Sequence, residues 1–205
     1  MAKSDTKDRL VETAIEMVWK DSYGSVSVDD ICKAADVRKG SFYHYFKSKA
    51  ELAVAAMEQH YLESKPELDS IFSPSRTPIE RFEKLADKAY EYQKETLEKY
   101  GHVCGCPFAT LGSEMANQED LIREQANKVF RRYERYYESS IRDMVAEGLL
   151  PEDTDVKARS EEVSSYIFGQ VMMARVQNSL VPLERDFKTG LFRILGVETA
   201  FLEAS

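Results

Sequence analysis

At 205 residues, 43% of them hydrophobic and 31% charged, the chain is long enough to bury a proper core and too apolar to be disordered. No apolar run approaches the roughly 20 residues of a membrane span, and the opening MAKSDTKDRL lacks the apolar stretch of a secretory signal. Three cysteines, an odd number, argue against a disulfide scaffold and for a reducing cytoplasm, and a net charge of −8 means that any anionic partner must be met by a local patch.

Six prolines and nine glycines fall in a few short clusters and leave long uninterrupted segments, which predicts an all-α protein. Leu10, Val11, Ala14, Ile15, Val18 and Trp19 form the stripe of a first helix, stopped by Gly24. Ser27 with Asp30 reads as an N-cap with an acid at N3, opening a short helix whose apolar face is Val28, Ile31, Cys32 and Ala35. Ala35-Asp36-Val37 is a tight turn, because Asp tolerates positive φ. In the next helix Phe42, Tyr45 and Phe46 share a core side, while Gly40, Tyr43, His44 and Lys47 share the other. Ser48-Lys49-Ala50-Glu51 is a capping box for a fourth helix through about Ser64. Three short helices, a four-residue turn and a connector are helix-turn-helix arithmetic.

Further helices are predicted from the Thr77-Pro78-Ile79-Glu80 box to Tyr100, over 107–116, from 118 to 147 with Asn117 as cap, from about Asp155 to Ser179, and from Leu183 to Leu195. Residues 32–49 gather five cations against Asp36 alone, a local excess of four, so the remainder of the chain carries a net charge of −12. That patch has a use on DNA. Gly40 and Ser41 allow close approach to base edges, Tyr43, Lys47 and Lys49 reach phosphates, and Lys39 and His44 reach purine acceptors in the major groove.

The stretch from Ile31 through KAADVRKGSFYHYFKSKAEL resembles the DNA-binding domain of TetR-family transcriptional regulators, over roughly residues 8–55. The resemblance implies a two-domain, all-α regulator: a helix-turn-helix domain over 1–48, helix 49–64 as connector, and a larger ligand-binding and dimerisation domain over 65–205. It implies a repressor that binds a palindromic double-stranded operator as a homodimer and is released by a small-molecule inducer, with no cofactor. Phosphate contacts then fall to Ser27, Tyr43, Lys47 and Lys49, and base reading to Lys39, Gly40, Ser41 and His44. Two positions depart from the pattern. Asp36 stands where Gly is usual, and Arg38 replaces the usual Ser or Thr cap with a cation that can itself contact DNA.

In the C-terminal half Ser165 and Gly169 allow a partner helix close, with Met172, Met173 and Val176 beyond, and Gly190, Leu191, Ile194 and Leu195 offer a second apolar face. The resemblance makes these a dimer interface; the alternative is packing within the chain. Phe108, Met115 and Tyr133 belong to an aromatic and methionine-rich set, part of it core and part expected to line an effector cavity. Cys106 precedes Pro107 at a helix start, where the dipole favours thiolate. Its Gly-Cys context, with Arg175, resembles TetR-type repressors that respond to electrophiles or oxidants. An ordinary packing cysteine beside a non-covalent hydrophobic ligand is the other reading. Cys32 lies on a core face. His102, Cys104 and Cys106 are too tightly spaced for zinc and lack a fourth ligand, so no metal is expected. Three histidines, none in a catalytic constellation, argue against an enzyme; a helical interaction protein without a DNA role fits the basic face poorly.

Overall fold

The computed structural model describes residues 6–20 and 22–197, and every regular element among them is helical. Helix α1 (Thr6–Lys20) buries Leu10, Val11 and Ala14 of the predicted stripe; the side chain of Trp19 lies outside the described set. Helix α2 (Val28–Ala34) opens with a complete capping box. The Ser27 hydroxyl accepts from the Asp30 N–H at 3.1 Å, and the Asp30 carboxylate accepts from the Ser27 N–H at 2.9 Å. Asp36 takes φ 51° and turns the chain into α3 (Lys39–Tyr45). These three helices close around Leu10, Ile31 and Phe42, each fully buried.

Helix α4 (Lys49–Ile71) continues past its predicted end at Ser64, through Pro66. An interior proline removes one helical hydrogen bond and crowds the carbonyl four residues back, at a cost of about 3 kcal/mol or more. Beyond it Leu68, Ile71 and Phe72 are all buried. At about 1.5–3 kcal/mol for each such side chain, packing outweighs the break.

Helix α5 (Pro78–Tyr100) starts on the Thr77–Glu80 box and stops at Gly101, φ 79°. Helix α6 (Pro107–Met115) follows, then α7 (Asp120–Ala146). Asn117 does not cap α7. The Met115 carbonyl accepts from the N–H groups of both Gln118 and Glu119 at 3.0 Å, so residues 116–119 are used in a turn before the helix begins. Helix α8 (Val156–Gln177) is capped by Asp155 and ends on Asn178 at φ 47°. The predicted last helix is present, but its first five residues, Leu183–Phe187, wind as a π-helix before α9 (Lys188–Leu195). The Tyr166 hydroxyl reaches the carbonyls of Asp186 and Phe187 at 3.3 Å, partnering groups from outside the helix.

The chain forms two compact units. One takes Met1–Lys65 with Pro107–Val129, the other Pro66–Cys106 with Phe130–Ser205. In the second unit α8 and α5 pack on α9, around Phe187, Leu191, Phe192 and Leu195. There the buried Arg81 guanidinium meets Asp143 at 2.5 Å and the Arg76 carbonyl at 3.1 Å. No described helix is long and apolar enough to cross a membrane.

Candidate nucleic-acid interface

Helix α3 divides into two faces as its spacing requires. Phe42 and Phe46 are buried at 0% and 5% exposure, whereas Lys39, Gly40, Tyr43, His44 and Lys47 are exposed. Ser41 is half-buried between the faces. Tyr45, expected on the core side, is 38% exposed. It closes the helix, and its ring lies edge-on to His44 at 4.9 Å instead of entering the core. A Cβ added at Gly40 would meet nothing within 4 Å, so the missing side chain serves no packing inside the protein and leaves room for something outside it.

Charges around this face are held loosely. Arg38 is the N-cap of α3 but makes no side-chain cap bond. Lys39 pairs with Asp29 at 2.8 Å, both well exposed; so solvated a pair holds weakly and exchanges readily for a phosphate. Ser27 is exposed with its hydroxyl engaged in the α2 cap. Half of the predicted α4 box forms: the Ser48 hydroxyl accepts from the Glu51 N–H at 3.1 Å, but the Glu51 carboxylate takes the Lys47 N–H at 2.8 Å in place of that of Ser48.

Lys49 has an occupation that the sequence did not suggest. Its ammonium donates to the carbonyls of Tyr23 at 2.7 Å and Val26 at 2.8 Å and sits 3.9 Å from the centre of the Tyr23 ring. Burial holds its pKa below the ordinary lysine range, against the pull of Glu114 and Glu119. A phosphate contact by Lys49 requires the ammonium to leave both carbonyls. On the same loop, the Glu114 carboxylate accepts from the Gly24 N–H at 2.8 Å and the Tyr23 N–H at 3.2 Å. The buried Tyr23 phenol is pushed up to about 12, by burial first and then by Glu119 and Glu114. Tyr23 and Glu114 escaped the sequence reading. The available signal was that Glu114 is the only charged residue in α6.

Of the residues expected to sense an effector, Phe108 and Met115 are buried in the first unit, with the Phe108 ring 5.6 Å from that of His60. Cys106, Tyr133 and Arg175 belong to the second. Cys106 is half-buried, and Tyr133 stands edge-on to Phe168 at 6.3 Å. The segment just before Cys106 is held by side chains. Arg175 donates to the Cys104 carbonyl, Asn178 accepts from the Val103 N–H at 2.9 Å, and Gln93 brackets Gly105, accepting from its N–H at 2.9 Å and donating to its carbonyl at 3.2 Å. Gly105 has φ 75°, and a Cβ there would stand 3.0 Å from Arg175 Cδ and 3.3 Å from Met172 Sδ. Glycine is needed twice over. Burial raises the thiol pKa of Cys32 and of Cys104, the latter opposed by Arg175 and Thr96. Among the described residues no three His, Cys, Asp or Glu side chains gather to hold a metal.

The expected interface residues separate. Ser165 and Gly169 are exposed on α8, with open space where a Gly169 Cβ would stand, and Met173 and Val176 are 47% and 75% exposed. Met172 and Ile194 are half-buried. Leu191 requires correction, and the half-buried Gly190 has a use within its own chain. Leu191 is fully buried in its own chain, and a Cβ at Gly190 would lie 1.8 Å from the Tyr166 hydroxyl oxygen. Leu191 serves the chain's own core, and Gly190 makes room for Tyr166.

Two family matches cover most of the sequence. Residues 10–56 match the bacterial regulatory proteins of the tetR family, and residues 78–189 match the tetracyclin repressor-like C-terminal domain. The chain belongs to the TetR family of transcriptional regulators. It is a DNA-binding regulator and not an enzyme. Among its relatives, the transcriptional regulator AcuR of Cereibacter sphaeroides is 31% identical over 88% of this chain and 81% of its own length. The HTH-type transcriptional repressor NemR of Escherichia coli is 23% identical over 88% and 89%. A TetR regulatory protein structure from Rhodobacter sphaeroides superposes with a TM-score of 0.76 at 30% identity, covering 92% of this TetR-family chain and 95% of that one.

Proposed function

We propose that this TetR-family regulator is a cytoplasmic repressor that binds a palindromic operator as a homodimer and is released by a small molecule or reactive electrophile. Residues 1–48 are the DNA-reading domain, helix 49–64 the connector, and 65–205 the ligand-binding and dimerisation domain. The outward face of α3 carries the reading: Lys39, Tyr43, His44 and Lys47 surround a Gly40 with no internal neighbour, on a chain whose net charge is −8. A local cationic face on an acidic protein pairs with an anion, and a side-chain-free position at its centre suits contact with base edges. The exposed Ser165, Gly169, Met173 and Val176 on α8 support the homodimer. The name of the related NemR supports repression. For the inducer, Cys106 at the start of α6 is the candidate sensor, with Arg175 close by in the chain's packing through Cys104.

The test is fluorescence anisotropy with the promoter fragment beside the protein's own gene and a random duplex, across a salt series. The expected result is a marked preference for the promoter. Lys47→Ala should weaken both duplexes alike and reduce the salt slope by about 1. Lys39→Ala should lose about 1–3 kcal/mol of discrimination per affected base pair. Equal affinity of the wild type for both duplexes would refute operator recognition.

A further inference from the structure

The connection between α1 and α2 is held by charge from outside itself. Four of its backbone N–H and carbonyl groups are answered by two side chains of opposite sign. Glu114 of α6 takes the N–H groups of Tyr23 and Gly24, and Lys49 of α4 takes the carbonyls of Tyr23 and Val26. Among the described residues the loop's own bonds run between Ser22 and Ser25 alone: the Ser22 hydroxyl accepts from the Ser25 N–H at 3.3 Å, the two hydroxyls lie 3.2 Å apart, and the Ser25 hydroxyl donates to the Ser22 carbonyl at 3.1 Å, so none of them holds Tyr23 or Gly24. Gly24 admits the acid closely, since a Cβ there would stand 3.2 Å from the carboxylate oxygen. This connection ends at Ser27, the cap of α2, and α2 packs directly on α3. Whatever fixes residues 23–24 therefore fixes the angle at which α3 is presented.

We propose that Glu114 is a positioning residue for DNA binding: from outside the helix-turn-helix, its carboxylate holds the Tyr23–Gly24 peptides and so sets the orientation of α2 and α3. The proposal rests on the reading of α3 as the DNA-contacting helix. Hydrogen bonds weaken steeply with misalignment, so a tilt of α6 that moves the carboxylate by about 1 Å releases the loop. Helix α6 is one rigid piece of nine residues, roughly 13 Å long. Its first residue, Pro107, follows Cys106 directly, and Glu114 lies at its far end. A tilt of this helix therefore moves Glu114 with it. A surface cavity of about 430 Å³ lined by Lys49, Glu114, Gln118 and Glu119 gives water access to these groups. Losing the carboxylate exposes the two N–H groups to solvent, and the domain keeps its fold.

The experiment compares wild type, Glu114→Ala and Glu114→Gln by three readouts: affinity for the promoter fragment and for random duplex, amide exchange at Tyr23 and Gly24, and thermal unfolding. Glu114→Ala should lose about tenfold in promoter affinity, in the range of ordinary coupling between sites, with a smaller loss on random duplex. Exchange at both amides should accelerate while helicity and Tm stay close to wild type. Glu114→Gln, which keeps one acceptor for the Gly24 N–H, should recover part of the affinity. Wild-type promoter affinity in Glu114→Ala would overturn the proposal. So would a loss equal on both duplexes and matched by a fall in Tm, which marks a structural role alone. A wild-type protein with no promoter preference would overturn the DNA reading beneath it, and protected Tyr23 and Gly24 amides in that protein would show that the latch exists all the same.

Discussion

Gly105 and His60 show how much one residue's surroundings decide. At Gly105 a methyl group meets a positive φ and two close side chains, Arg175 and Met172. Strain of that kind costs about 1–3 kcal/mol. Gly105→Ala should therefore lower the urea-unfolding free energy by about that amount, and an unchanged midpoint would mean that the segment relaxes freely. His60 packs on Phe108, and burial pushes its pKa down to about 4. An imidazole whose folded pKa lies below its unfolded value of about 6.5 favours the fold fully above pH 6.5, and that advantage is lost as pH falls toward 4. By pH 5 the loss amounts to about 2 kcal/mol relative to pH 7.5. His60→Leu should flatten that part of the stability profile in denaturant melts, since leucine carries no proton to bind.

At the scale of elements, local signals were readable and distant ones were not. The Ser27 and Thr77 boxes, the Asp36 turn and the stops at Gly101 and Gly196 are each written within about four residues, and each formed where the sequence put it. Helix α4 outruns its expected end near Ser64 because the cost of Pro66 is local, whereas the packing of Leu68, Ile71 and Phe72 that overrides it is tertiary. Lys49 was legible as a cation and illegible as a clamp, because the carbonyls it takes lie 23 and 26 residues away. Glu114 reaches back 90 and 91 residues. Periodicity likewise marks apolar stripes without saying which chain each one covers. Leu191 faces its own core, while Met173 and Val176 on α8 stay outside it. Val176→Glu should consequently convert the proposed dimer to monomer in sedimentation velocity while leaving helicity intact. A dimer that survives this charge at each copy of the stripe would place the interface elsewhere.

For the whole molecule, the division into units is not a cut at one point of the chain. Residues 107–129 return to pack with the first 65, so the helix that follows Cys106 is structurally part of the unit that carries α3. The residues proposed to read DNA share one short helix and are legible for that reason; the reach of α6 is not. Reading DNA needs side chains on one short helix, visible as the spacing of Gly40, Tyr43, His44 and Lys47. The proposed latch needs Glu114 of α6 to reach a loop 90 and 91 residues earlier, and no periodicity records that.

The three peptides before Cys106 invite a comparison with a stringed instrument. Val103, Cys104 and Gly105 are each anchored to a different side chain, Asn178, Arg175 and Gln93: the first two stand at the cap and in the last turn of α8, the third on α5. A sheet or a helix would share such anchoring among many identical backbone bonds, so that no single replacement alters the pitch. Here each peg turns by itself. Exchanging one of the three for a shorter or longer side chain retensions the stretch beside the thiol and leaves every helix wound as before.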